Sequence, residues 1–328
     1  MTGTVLITGG RGYLGCHAQR AFADAGWRVV DLDARPRRAL AVGPAVEQAV
    51  HVRLDLRATG SVVDLLRRER PSHCVQMAGP SSVSASIRHP REDLEGHVLP
   101  TLSLLEAVHA SGADTAVLVV SSAAVYGSPD RLPITEDHPV QPVSPYGCHS
   151  RIKELVAAEH RARHGVRVCI ARLFSTYGPG LRRMAVWDIA RRAMRGELTA
   201  RGTGRESRDY LHARDAAAAL VAICMRTPFA GEVVNVGSGE ETEVRCLAGR
   251  IYSALGIAAS CRFDGRVEAG KPLRWQADAS TLRDLGFEPR IALETGVLET
   301  VRWIFRARQP AAPQPENGGS PSASNVGP

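Results

Sequence analysis

Gly9, Gly12 and Gly15 are spaced through the run Gly9-Gly10-Arg11-Gly12-Tyr13-Leu14-Gly15, directly after the apolar stretch Thr4-Val5-Leu6-Ile7-Thr8. A tight turn out of a strand needs a residue that tolerates unusual backbone angles. Close approach to a bulky anion needs a backbone bare of side chains, and a helix that lies close on a sheet needs a small residue at the contact. The first turn of the following helix offers unpaired N–H groups and the positive end of its dipole. Such a turn suits the pyrophosphate of a dinucleotide. An acidic residue about 20 positions further on accepts ribose hydroxyls, and Asp33 stands there at the end of the next apolar run. A carboxylate repels a 2′-phosphate, so the pattern favours NAD over NADP. Arg35, Arg37 and Arg38 follow at once and pull the other way; they read as solvated residues or contacts at the adenine rim.

Other chemistry is less well supplied. The seven cysteines (16, 74, 148, 169, 224, 246, 261) include no C-x-x-C pair and read as thiols rather than disulfides or zinc ligands. No metal site is expected.

The elements that must position these residues follow from the apolar pattern. Val5-Ile7, Val29-Leu32, His51-Leu54, Cys74-Met77, Ala116-Val120 and Val166-Ala171 are short, mostly aliphatic runs with little polar alternation. That pattern marks strands buried on both faces of a parallel sheet. Helix-length segments separate them, beginning with Tyr13-Ala25. Alternating βα order predicts a doubly wound α/β Rossmann fold. After about Ser175 the pattern changes: a helix over Met184-Arg195, Gly-rich Arg201-Gly204, a helix over Ala213-Met225 and a strand over Val233-Val236. The expected division is a dinucleotide-binding domain over 1–175 plus about 211–238. A smaller, interleaved C-terminal substrate domain takes about 176–210 plus 239–308. Residues 309–328, rich in Pro, Gly and Ser, are expected to be a disordered tail.

Hydrophobic content of 44% and charged content of 23% are ordinary for a globular chain of 328 residues. No run of 18 apolar residues is present, so no membrane span is expected. The first residues carry no signal-peptide pattern, which predicts a cytoplasmic protein. Net charge is +7, and Lys153 and Lys271 are the only lysines, so nearly all basic residues are arginine. The arginines are dispersed, with no basic run interleaved with aromatics, and nucleic acid is not expected as a partner.

Further motifs follow in order. They are Asp55-Leu56 after the third strand, Val75-Gln76-Met77-Ala78-Gly79 at the fourth, and Ser121-Ser122-Ala123-Ala124-Val125-Tyr126-Gly127 at the fifth. Ser144-Pro145-Tyr146-Gly147, Arg172 to Gly180, Arg208-Asp209-Tyr210-Leu211-His212 and Asn235-Val236-Gly237-Ser238-Gly239 complete the series. Together with the glycine spacing, the chain over roughly 4–306 resembles the extended short-chain dehydrogenase/reductase family, nearest to the UDP-glucose 4-epimerase type. The resemblance implies NAD bound by Gly9, Gly12, Tyr13, Leu14, Gly15, Asp33, Asp55, Leu56, Met77, Ala78, Gly79 and Tyr146. It implies catalysis by Tyr146, which takes a hydroxyl proton, and Ser122, which orients the oxygen. Ser122, Ser175 and Arg208 are the implied substrate contacts, with Arg182, Arg183 and Arg205 nearby.

The sequence departs from that family at several points. A free phenol has a pKa of about 10, and relatives carry a lysine four residues after the tyrosine; here that position is Ser150. Arg151 points about 140° around the helix, Lys153 returns near the right face but about 10 Å along the axis, and His149 faces correctly but is only partly charged near neutrality. Tyr146 is therefore expected to keep a higher pKa than in relatives. Ser175 and His97 replace asparagines, and Glu268-Ala269-Gly270-Lys271-Pro272 reverses a charge where relatives carry an arginine. Ala123-Ala124 replace the Asp-Glu pair of sugar-nucleotide 4,6-dehydratases, which argues against that reaction. Three readings follow: an NAD-dependent nucleotide-sugar epimerase acting at C4 of a UDP-sugar, an NAD(P)-dependent ketoreductase of a sugar or natural-product intermediate, and a cofactor-binding pseudoenzyme lacking the lysine. A homodimer is the expected assembly.

Overall fold

The computed structural model describes residues 3–36, 46, 48–266 and 272–306. Arg37, Arg38, the Glu268–Lys271 segment and the expected tail over 309–328 lie outside the described residues.

Six strands, β1 (Thr4–Thr8), β2 (Arg28–Asp33), β3 (Val50–Arg53), β4 (His73–Gln76), β5 (Ala116–Ser122) and β6 (Val168–Leu173), join the strand Ala230–Val236 in one parallel sheet. The order across the sheet is Ala230–Val236, β6, β5, β4, β1, β2, β3. Neighbouring residues of one strand serve opposite faces. Val5 and Ile7 pack with Phe22 and Leu220 on one side, while Leu6 packs with Leu66, Leu104 and Ala157 on the other. Both faces are covered, which is why these strands show no alternation in sequence.

Helix α1 (Tyr13–Asp24) covers the first face beside the helix Ala213–Arg226. Helices α2 (Thr59–Glu69), α4 (Pro90–Ser111) and α5 (Pro145–His164) cover the second, with the short α3 (Val83–Arg88) against α4 and α5. The strand order reverses between β1 and β4, and ligands of such sheets bind at the carboxyl ends of the strands at that point.

The expected helix over Met184-Arg195 is α6 (Met184–Ala193). With the helices Val244–Ala254 and Leu293–Arg306 it builds a separate apolar cluster around Val186, Ile251 and Val301. The strands Glu241–Glu243, Ser207–His212 and Ser175–Tyr177 form a small sheet in that order.

One buried polar network ties α5 to the main sheet. Arg172 on β6 donates to both oxygens of Glu154 on α5, at 3.0 and 2.9 Å. Ser121 on β5 donates to Glu154 at 2.6 Å. Arg172 also donates to the Tyr126 hydroxyl, which donates in turn to Asn235. The Arg172 and Glu154 side chains are 3% and 1% exposed. The helix carrying Tyr146 is thus fixed by charge as well as by packing.

Candidate active site

The glycine turn after β1 folds as its spacing demands. Gly9 has φ of +69°, and a Cβ there would lie 2.9 Å from the Ala78 Cα. A Cβ on Gly15 would lie 2.4 Å from the Gly9 carbonyl oxygen and 2.6 Å from the Gly10 Cα, so only glycine lets α1 start this close to the turn. The Thr8 hydroxyl accepts from the Met77 and Ala78 N–H groups at 3.1 and 3.2 Å, which locks the ends of β1 and β4 together.

A cleft of about 1350 Å3 runs along these strand ends. Its walls include Gly9, Gly12, Tyr13, Leu14, Gly15, Asp33, Asp55, Leu56, Met77, Ala78, Gly79, Ser122, Tyr146 and Ser175. All the cofactor and catalytic residues expected from the sequence therefore share one cleft. Arg208, expected to touch substrate, lines an adjoining cleft of about 660 Å3 together with Ser175 and Tyr210. The Arg208 guanidinium lies over the Trp275 ring at 5.2 Å and donates to the Ser207 carbonyl at 2.7 Å.

At the adenine end, Arg35 is exposed and lines the cleft beside Asp33, in keeping with the expectation, and it also makes bonds that its spacing alone does not show. Arg35 clasps Asp33 with two side-chain bonds of 2.9 and 2.7 Å and a backbone bond of 3.0 Å, and the Arg11 N–H donates to the same carboxylate at 3.1 Å. Burial raises the Asp33 carboxyl, but these bonds outweigh it and hold the group below its ordinary value. The cause is local: residues two apart on a strand end can close a five-donor fork onto a carboxylate. Asp55 is likewise paired with Arg57, at 2.6 Å.

At the other end, Ser122 lines the cleft with Tyr146, near enough for its hydroxyl to act on the phenol. Ser122 ends β5, and its hydroxyl also accepts the Ala124 N–H at 3.2 Å. Ser144 caps α5 and Pro145 begins it, so Tyr146 stands on the helix's first turn. Burial pushes the phenol above its ordinary value; the Ser122 hydroxyl and the Arg183 charge pull it back, while Asp93 raises it further.

The environment behind Tyr146 is unlike anything the spacing showed. The His97 ring stands edge-on to the Tyr146 ring, with centroids 5.2 Å apart. His149 binds Asp93 at 2.6 Å, and Arg151 binds Glu154 at 3.0 Å, so neither offers its charge to the phenol. Lys153, by contrast, lies in the cleft wall with Tyr146 and His97, and its Nζ donates to the Val120 carbonyl at 2.6 Å. Burial lowers this lysine to about 8, against the opposing effects of Glu154 and Asp93. The distance along the helix axis had counted against Lys153. The Val120 carbonyl at the end of β5 draws the side chain back into the cleft instead. Four polar atoms in this corner, Asp93 Oδ1, both His97 ring nitrogens and Ser150 Oγ, are buried with no hydrogen-bond partner among the described residues.

The profile of the NAD-dependent epimerase/dehydratase family matches residues 5–237. The chain belongs to this family. It is 30% identical to the UDP-glucose 4-epimerase of Azospirillum brasilense, over 98% of this chain and 97% of that one. The NAD complex of the Thermus thermophilus UDP-glucose 4-epimerase superposes with a TM-score of 0.82 at 26% identity, covering 93% and 99% of the two chains. The dTDP-glucose 4,6-dehydratase DesIV of Streptomyces venezuelae, with NAD and TYD bound, superposes with a TM-score of 0.83 at 29% identity, covering 93% and 97%. Membership makes the chain an NAD-dependent enzyme of the extended short-chain dehydrogenase type.

The residues present fit that cofactor. The bare turn at Gly9, Gly12 and Gly15 faces the cleft at the start of α1, and Asp33 and Asp55 line its far end. Among the described residues no group of three or more His, Cys, Asp or Glu side chains could hold a metal, and no helix is long and apolar enough to cross a membrane. All seven cysteines are free.

Proposed function

We propose that this enzyme epimerises a nucleotide sugar, at C4 of a UDP-sugar, with NAD held in the cleft. Bound there by the glycine turn and Asp33, NAD would supply the hydride acceptor and donor for the reacting carbon. The Ser122 hydroxyl orients the sugar oxygen, and Tyr146 takes its proton and gives it back once the opposite face has been presented. Arg208 and Ser175 in the adjoining cleft would hold the diphosphate and sugar. The pairing of Tyr146 with Ser122, in a cleft that opens beside Arg208, is the observation that carries this reading.

Dehydration is not favoured. The residues after Ser122 are Ala123 and Ala124, both buried, and neither side chain can move a proton. Lys153 weakens the pseudoenzyme reading, since a cation stands in the cleft wall although residue 150 is serine. Tyr146 is raised by burial, and a phenol that holds its proton suits donation; this observation favours a ketoreductase as the second reading.

The decisive experiment incubates the purified, NAD-loaded protein with UDP-glucose and UDP-galactose. Interconversion followed by proton NMR, with no net consumption of NADH, is expected. Consumption of NADH with a keto-sugar, and no interconversion, would establish the reductase instead.

For assembly we propose a homodimer through α4 and α5. Leu94 and Leu99 on α4 and Ile152 and Leu155 on α5 are exposed although large and apolar, and α4 packs along α5. Light scattering should give twice the chain mass, and Leu155→Glu should halve it.

A further inference from the structure

Strand β2 carries a carboxylate inside the sheet. Val30 and Leu32 are buried and apolar, and Asp31 between them is 0% exposed. Its neighbours in register are Ile7 on β1 and His51 on β3. Burying a carboxylate is costly unless it is paired and hydrogen-bonded. Asp31 is paired. The Arg11 Nε donates to its Oδ2 at 3.2 Å, and the His51 Nδ1 donates to the same oxygen at 3.0 Å. The Arg11 side chain is only 8% exposed.

Arg11 stands in the middle of the glycine turn, yet its charge does not face the cofactor. Gly9, Gly12, Asp33 and Arg35 line the NAD cleft, whereas Arg11 does not. Its guanidinium passes behind the turn, onto Asp31 and the Arg35 backbone carbonyl. The Arg11 backbone N–H is what reaches Asp33, at 3.1 Å. The turn lies so tightly on the buried carboxylate that a Cβ on Gly10 would collide with Asp31 Oδ1. The glycines give the turn its shape, and Asp31 decides where the Arg11 charge lies.

That placement bears on the choice of dinucleotide. NADP differs from NAD by a phosphate on the adenosine ribose 2′-oxygen, whose hydroxyl in NAD donates to an acidic residue after the second strand. A guanidinium meets such a phosphate with two parallel bonds. The Arg11 N–H already reaches Asp33, so a released Arg11 side chain has only to swing over its own backbone to meet a phosphate beside that carboxylate. An apolar residue at position 31 would serve a strand buried on both faces equally well. The carboxylate there therefore marks a role beyond packing, and holding Arg11 is what it does.

We propose that Asp31 is a specificity-determining positioning residue: it draws the Arg11 guanidinium away from the ribose 2′-oxygen and so sustains the preference for NAD over NADP. The inference concerns the choice of cofactor and stands apart from the identity of the sugar.

The test measures dissociation constants of NAD and NADP by calorimetry on the full chain freed of nucleotide. The wild type should prefer NAD. Asp31→Val, which suits the strand, should tighten NADP and narrow that preference roughly ten- to a hundred-fold, the range of one charge-assisted contact. Asp31→Asn keeps the size and an acceptor for Arg11, and should narrow it by a few-fold. The double variant Asp31→Val with Arg11→Gln removes the released charge and should return the preference to its wild-type value. Circular dichroism and thermal unfolding show which variants fold, and Asp31→Asn carries the test if Asp31→Val does not. A merely structural Asp31 would weaken both dinucleotides alike, and that result would overturn the proposal. An unchanged preference in folded Asp31→Val, or in Asp31→Asn where it stands alone, would do the same. So would tightened NADP binding that persists in the double variant, or a wild type that binds NADP as tightly as NAD.

Discussion

The two ends of the NAD cleft are built on different principles. At the phosphate and adenine end, a short continuous segment does the work. Gly9, Gly12 and Gly15 shape one turn, and a Cβ on Gly9 or Gly15 would meet backbone at 2.4 to 2.9 Å. At the reaction end, Tyr146, Ser122, His97, Lys153 and Arg183 come from α5, β5, α4, α5 again and the approach to α6. The first end is fixed by local sequence. The second is assembled from distant elements, and its side chains meet only because those elements pack together.

Four experiments sharpen or break that contrast. The largest effect is expected at Tyr146. Tyr146→Phe should cut turnover by about 10²- to 10⁴-fold while NAD binding, measured by calorimetry, stays near wild type. Retained turnover would mean that the proton moves through another group. Next comes the network beneath the reaction end. Glu154→Ala leaves Arg172 buried without its carboxylate and should cost about 3–5 kcal/mol in urea unfolding. A loss within 1 kcal/mol would show that α5 is held by packing alone.

A smaller effect is expected at Lys153. This lysine is charged below about 8 and loses its charge as pH rises through that value. If it supports the phenolate, activity should fall on the alkaline side in the wild type. Lys153→Arg should remove that limb, and Lys153→Met should lower kcat roughly ten- to a hundred-fold at pH 7. One or two pKa units on the phenol correspond to about 1.4–2.8 kcal/mol. Reductive methylation with a carbon-13 label gives a second readout: one of two lysine side-chain signals should titrate near 8. An ordinary titration for both lysines would remove Lys153 from this role.

The smallest effect lies at the adenine end. Arg35 is 60% exposed, and exposed ion pairs contribute about 0–1 kcal/mol. Arg35→Ala frees the Asp33 carboxylate and should widen the preference for NAD over NADP by a few-fold in dissociation constants. A reversed preference would show that Arg35 was never set against a 2′-phosphate.

The legibility of the molecule follows the same division. The parallel sheet could be read because strands buried on both faces carry continuous apolar runs, and the glycine turn because its constraint is local. The replacement of the family's lysine by Ser150 was equally visible. What could not be read was where Lys153 ends: helical spacing gives its height on α5, but the Val120 carbonyl that draws it inward belongs to β5. His97 was noticed only as an exchanged asparagine, since its contact with the Tyr146 ring depends on how α4 packs along α5. The exposure of Arg35 is legible, but spacing alone does not say that its guanidinium turns back onto Asp33, two residues away.

The buried polar atoms of Asp93, His97 and Ser150 that make no hydrogen bond among the described residues have a consequence for descent. A corner in which every donor and acceptor is matched resists change, because each substitution strands a neighbour. This corner already holds buried polar atoms beside the Tyr146 phenol that make no hydrogen bond among the described residues, so exchanges at 97 or 150 have fewer bonds to break. Lineages of this enzyme should therefore explore new acidities of Tyr146 through single substitutions here, long before the glycine turn admits any.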